Sequence, residues 1–192
     1  MADTQRISYV PLEEMTPEMR VEMERCAREG TPRPESSAIR AHAPEVFKTF
    51  TPYWHATFRE GELDHATKEL CRLYITRTTN CQFCGNQRSS TAGLPEYADD
   101  DLLNFEAAAG YDDRQKAALA YAQAIAWGEQ DLDGLWTRLH AHFTERELVE
   151  LGCFVALTFG QQSWIRLLGI GHQEYDVEGI ESTAGLAPGV RS

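Results

Sequence analysis

Helix-start and helix-stop signals punctuate the chain, and nowhere do apolar and polar residues alternate as a half-buried strand requires. Thr16-Pro17-Glu18 joins a capping hydroxyl to a proline at the first helical position. Gly30 and the Pro32-Arg33-Pro34 run end that helix. A second helical stretch spans about Pro44 to Arg59, perturbed near Pro52 and closed by Gly61. The next, Asp64 to Arg77, carries Ala66, Leu70, Leu73 and Tyr74 along one face, and Thr78-Thr79-Asn80 breaks it. A new helix is expected from the Cys81 region to about Ala92, before the Gly93-Leu94-Pro95 turn. Arg114 to Trp127 and Leu132 to His142 follow, and Thr144-Glu145-Arg146-Glu147 is a capping-box pattern ahead of a long apolar helix. The pattern predicts an all-α fold in one domain.

That last helix is the one segment apolar enough to raise the question of a membrane span. Gln161, Gln162 and Arg166 interrupt the stretch from Leu148 to Ile170, so it reads as a buried helix. The opening residues lack the basic-then-apolar profile of a secretory signal, and the expected location is cytoplasmic. Thirty acidic against 18 basic residues give a formal net charge of −12. Such a field repels nucleic acid and anionic lipid, so neither is an expected partner. From Glu178 onward Gly, Ser, Ala and Pro accumulate, which predicts a mobile tail over 178–192.

The chemistry concentrates in Cys81-Gln82-Phe83-Cys84. Thiolate is the attacking species in thiol chemistry, and backbone N–H groups at a helix start stabilise it. The spacing lets a second sulfur capture a sulfenic acid or mixed disulfide formed on the first. A structural zinc site would want a second pair or two spaced histidines. Cys26, Cys71 and Cys153 stand alone, and His140 and His142 lie at spacing two. Redox chemistry is preferred over zinc and over cysteines that merely pack, and no metal is expected.

The segment Leu63-Asp64-His65-Ala66-Thr67-Lys68-Glu69-Leu70, followed by Asn80-Cys81-Gln82-Phe83-Cys84, resembles the core of the alkylhydroperoxidase D-like (AhpD-like) / carboxymuconolactone decarboxylase family. Its pattern is a glutamate twelve residues before the first cysteine, C-x-x-C, and a histidine four residues after the second. Glu147-Leu148-Val149-Glu150-Leu151 through Arg166 resembles the helix that follows in that superfamily. The resemblance implies an AhpD-like helical bundle over 41–177, preceded by a helical extension over 1–40. It implies that Cys84 attacks a peroxide, Cys81 resolves it and Glu69 serves as base. A reducing carrier protein would reset the pair, with the Cys81–Cys84 disulfide as the only redox group and no separate cofactor. It also implies a homo-oligomer, trimer or hexamer.

The sequence departs from the pattern at the relay. Phe83 stands between the cysteines, and Arg88 stands where the later histidine belongs. On a continuous helix Cys84 and Arg88 would share a face. There arginine would lower a thiolate pKa without being able to shuttle a proton. His65 is read as a solvated surface histidine that supplies an imidazole only if it turns inward. Gln87 is a candidate hydrogen-bond donor to substrate. Tyr53, Trp54, Phe58, Trp127, Trp136 and Trp164 are read as core or subunit interface.

The leading expectation is a thiol-dependent peroxidase or disulfide oxidoreductase acting on a peroxide or other small molecule. One alternative is a decarboxylase-type enzyme on a small carboxylated lactone, with Arg72, Arg77 or Arg88 binding the carboxylate. The other is a non-catalytic, redox-sensing oligomer.

Overall fold

The computed structural model describes residues 5–95, 101–128, 132–172 and 175–177. Eight α-helices lie within them: α1 (Pro17–Glu29), α2 (Pro34–Arg40), α3 (Pro44–Trp54), α4 (His65–Thr79), α5 (Gln82–Gly85), α6 (Asp113–Trp127), α7 (Leu132–His142) and α8 (Glu145–Ile165). The described residues contain no strand, so the fold is all-α, as expected. The tail expected to be mobile, 178–192, lies outside the described residues.

Local chemistry set most of the helix ends. The Thr16 hydroxyl accepts from the Met19 amide to start α1, and Gly30 closes it at φ 76°. Thr144 and Glu147 form the reciprocal capping box of α8. Asp64 caps α4 by accepting from the Thr67 amide, and Asn80 ends it in the left-handed region at φ 52°. The perturbation expected at Pro52 appears just downstream, where α3 runs into a π-helical turn over His55–Arg59. Proline cannot donate to the preceding turn, and a widened turn is one way to absorb that loss. This turn buries Phe58, which stacks on Phe154 of α8 at 4.9 Å between centroids.

Two helical expectations need correction. Pro32-Arg33-Pro34 ends one helix but also starts another, because Pro34 sits at the first position of α2. The helix expected to run from the dithiol to Ala92 is a single turn, ending at Gly85. Beyond it the carbonyls of Gly85 and Gln87 are taken by Arg88, and those of Cys84 and Gln87 by Arg72. Side chains replace the backbone donors that would have continued the helix.

Helix α4 is the axis of the main core, packed chiefly against α8 and α6. Leu70, Leu73, Ile75, Leu119, Leu151 and Phe154 interlock there. A second cluster joins Met15, Met19, Met23 and Ala27 of the N-terminal region to Phe47 and to Tyr175 and Val177 near the other end of the chain. The Tyr175 hydroxyl donates to the Val10 carbonyl at 2.6 Å. A third cluster surrounds the dithiol, and Ile39 of α2 contributes to it together with Ile165, Leu168 and Ile170. The N-terminal helices thus supply part of the wall around the cysteines.

Candidate dithiol site

Asn80 turns the chain sharply out of α4 and delivers Cys81 to the start of α5. Cys81 caps that turn through its sulfur, which accepts from the Cys84 amide at 3.3 Å. The two sulfurs are joined as a disulfide with an S–S distance of 2.01 Å. Gly85 lets the turn lie close on α4, since a Cβ there would meet the Thr76 methyl at 3.1 Å. Both cysteines are buried, Cys81 at 1% and Cys84 at 2% exposure. Only Cys84 lines the neighbouring cavity of about 30 Å³.

Glu69 is buried one helix turn before Arg72, and the two form a forked ion pair, with Nε–Oε2 at 2.6 Å and Nη2–Oε1 at 2.8 Å. Arg72 then reaches the Cys84 carbonyl at 3.2 Å and the Gln87 carbonyl at 2.8 Å. The Ser89 amide donates to Glu69 Oε1 at 2.9 Å. The carboxylate therefore accepts three hydrogen bonds and anchors an arginine that grips the dithiol turn from below. Arg72 was considered above as a carboxylate-binding group for substrate, but Glu69 already occupies its fork. The i, i+3 spacing of Glu69 and Arg72 was visible in the sequence. Their joint burial was not.

His65 does not lie on a solvated surface. It is partly buried, with Nδ1 2.8 Å from the Phe58 carbonyl and Nε2 2.8 Å from the Ser89 hydroxyl. A carbonyl accepts only, so Nδ1 carries the proton and the neutral ring accepts from Ser89 at Nε2. Burial pushes its pKa below the usual histidine value, and the Arg59 guanidinium adds to that, against the opposing pull of the Phe58 hydrogen bond and Glu69. Ser89 thus touches Glu69 through its amide and His65 through its hydroxyl.

The other candidates fall into different places. Gln87 lines the cavity, and its side-chain amide donates to the Phe83 carbonyl at 3.4 Å. Arg88 donates from Nη1 to the Gly85 and Gln87 carbonyls at 2.6 and 2.7 Å. Because α5 has already ended, the helical spacing that would align Arg88 with Cys84 does not apply. Arg77 is exposed near the end of α4. Trp54 and Phe58 are core residues, whereas Trp127 is 66% exposed and Trp136 38% exposed.

Three groups near the dithiol, His172, Arg40 and Thr158, escaped the sequence reading, which placed Trp54 in the core or a subunit interface. His172 stacks on Phe83 at 4.4 Å between centroids, with the rings 8° from parallel. Arg40, Trp54 and Thr158 line the cavity with Cys84. They come from α2, α3 and α8, so no local spacing links them to the cysteines. Among the described residues, no cluster of three or more His, Cys, Asp or Glu is arranged to hold a metal. No described helix is long and apolar enough to cross a membrane.

Residues 44–124 match the carboxymuconolactone decarboxylase family. An uncharacterized protein of Mycobacterium tuberculosis (strain H37Rv) is 34% identical over 110 residues, covering 55% of this chain and 38% of that protein. The match therefore takes in well under half of the relative's length. An uncharacterized peroxidase-related protein from Ralstonia eutropha JMP134, with an alkylhydroperoxidase AhpD core, shares the fold at a TM-score of 0.70. It is 18% identical, with 87% of this chain and 91% of that chain covered. The debrominase Bmp8 has a TM-score of 0.70 at 14% identity, covering 88% of this chain and 92% of the other. Residues 44–124, which hold α4 and the dithiol turn, thus match the carboxymuconolactone decarboxylase family, and the helical fold around them is similar to that of the AhpD core.

Proposed function

We propose that this protein is a thiol-dependent peroxidase or disulfide oxidoreductase in which Cys84 attacks and Cys81 resolves. The observation that carries this reading is that the two sulfurs are within bonding distance while only Cys84 borders the cavity. In the reduced protein, the Cys84 thiolate forms an S–O bond as the peroxide O–O bond breaks, giving a sulfenic acid and an alkoxide or hydroxide that takes a proton. The Cys81 thiolate then displaces hydroxide from that sulfur, which leaves as water, and closes the disulfide. A dithiol carrier protein reopens the disulfide and is itself oxidised.

Glu69 fits a positioning role better than that of a free base, since Arg72 and the Ser89 amide occupy both its oxygens. Acting as a base would require Arg72 to let go. The imidazole nearest this network is His65, held neutral by burial and joined to Ser89. We assign it the proton-accepting place that Phe83 and Arg88 leave empty. The exposed Trp127, Leu132 and Trp136 suit the expected homo-oligomer.

Cavity size disfavours the reading as an enzyme on a carboxylated lactone. About 30 Å³ beside Cys84 has room for a water or a peroxide and not for a ring. The same limit weighs against a halogenated pyrrole, the class bound by the Bmp8 variant of known structure. Stopped-flow peroxide consumption by the pre-reduced protein, with thiols counted before and after, tests the proposal. Loss of two thiols per chain, abolished by Cys84→Ser, is expected. Undiminished peroxide turnover in Cys84→Ser would overturn it, and redox-dependent assembly without turnover would point to a sensor.

A further inference from the structure

The wall of the Cys84 cavity holds a buried cation that no carboxylate meets. Arg40 is 5% exposed, and its partners are neutral. Nε and Nη2 both donate to Gln161 Oε1, at 3.2 and 2.8 Å, and Nη1 donates to the Ser36 hydroxyl at 3.3 Å. Its flat faces lie over the Phe50 ring at 4.1 Å and the Trp164 ring at 5.5 Å. Burial pushes its pKa down to about 10, with Cys26 and Glu22 pulling the other way, so it remains charged near neutrality. Removing a guanidinium from water without a counter-anion is costly.

Two further polar atoms on the same wall lack a protein partner. The Trp54 indole Nε1–H and the Thr158 hydroxyl are both buried and hydrogen-bond to nothing in the protein, and both residues line the cavity. Trp54 is 6% exposed and Thr158 is 1% exposed. An indole N–H only donates, and a guanidinium only donates. Three elements therefore bring a cation and two unused hydrogen-bonding groups to one small space beside a sulfur. Each unsatisfied buried donor costs roughly the desolvation of its group, so their convergence calls for an acceptor.

We propose that Arg40, Trp54 and Thr158 form a compact oxyanion subsite against Cys84, which holds the oxygen leaving as Cys84 cleaves a small peroxide. This assignment rests on the peroxidase reading for its chemistry, but the subsite itself is defined by its donors. The S–O bond forms on Cys84 as the O–O bond breaks. The leaving oxygen takes the electron pair, meets the Arg40 charge and the two donors, and is then protonated from solvent. The size of the space, about 30 Å³, selects hydrogen peroxide over bulky aryl-alkyl hydroperoxides.

The subsite can be tested apart from turnover by titrating the oxidised, 15N-labelled protein with formate and following the indole N–H resonances. The Trp54 signal is identified by its loss in Trp54→Phe. Formate is expected to move that resonance saturably. Thr158→Val, which keeps the side-chain shape, should weaken binding about tenfold, and Arg40→Met should abolish it. No saturable shift, or a shift that neither variant changes, would mean the space holds water only and would overturn the proposal. In the reduced protein, thiol loss should be faster with hydrogen peroxide than with cumene hydroperoxide and about tenfold slower in Thr158→Val. Variant-sensitive formate binding without any peroxide-driven thiol loss would keep the anion subsite and sink the peroxidase reading. The reverse result would keep that reading and sink the subsite.

Discussion

Cys26 and Cys84 are equally hidden, at 0% and 2% exposure, yet their surroundings are opposite. Cys26 packs in a closed cluster where its thiol donates to the Glu22 carboxylate at 3.6 Å and meets the Ser37 hydroxyl at 3.4 Å. Burial first, and then the Glu22 charge, push its pKa up to about 12, although Arg25 and Ser37 pull against them. Cys84 instead borders a cavity with Arg40 in its wall, and Arg72 holds its carbonyl while Glu69 faces Arg72. Burial alone does not decide whether a thiol reacts. The balance of neighbouring charge and a space for the oxidant do, since Arg25 also lies beside Cys26 but Glu22 outweighs it.

The strongest way to break the contrast is to remove each sulfur. Cys84→Ser should lower the rate of peroxide consumption by on the order of 10³-fold or more, as expected for loss of a nucleophile. Cys26→Ser should leave the rate within about twofold. A large loss in Cys26→Ser, with the fold intact by circular dichroism, would show that the closed cluster takes part in the chemistry.

The ion pair beneath the dithiol is the next point of attack. Arg72→Met leaves Glu69 buried without its partner and should cost about 3–5 kcal/mol in urea denaturation. Losses below about 1 kcal/mol would mean that the pair does not hold the turn in place.

Acid should separate the two regions more gently. Burial pushes Glu22 up, but hydrogen bonds from Arg25 and His55 outweigh it and bring its pKa to about 2, below the ordinary 4.5. Its stabilisation is therefore present above about pH 4.5 and is lost as pH falls toward 2. Glu22→Gln should flatten the stability profile in that window, and an unchanged slope would contradict the assignment.

His65 should give the smallest effect, and at higher pH. Its pKa is depressed in the folded protein, so the unfolded chain takes the proton first as pH drops below about 6.5. Stability should begin to fall there, and His65→Gln should remove that component. The same variant should shift the pH profile of thiol oxidation if the imidazole accepts the proton. A profile identical to wild type would leave His65 a packing residue.

Much of the backbone was legible because its determinants are close in sequence. Thr16, Gly30, Asp64, Asn80 and Thr144 begin or end helices through bonds to residues a few positions away. The dithiol was legible from its spacing, and Glu69 only through the family resemblance. The single-turn length of α5 was not, because Arg72 and Arg88 take carbonyls there from positions that local propensity does not weigh. The same holds for His65, which turns inward to Phe58 and Ser89.

An all-helical chain with a cysteine pair at the exit of a capped helix follows from local chemistry, since caps, breaks and C-x-x-C spacing act within one or two turns. Which sulfur borders a cavity, and what lines that cavity, depends on long-range packing. Arg40 and Trp54 lie on consecutive helices before the dithiol, and Thr158 lies on a helix well after it. A buried charge or an unpaired donor shows itself only once packing has removed water and brought its neighbours into reach.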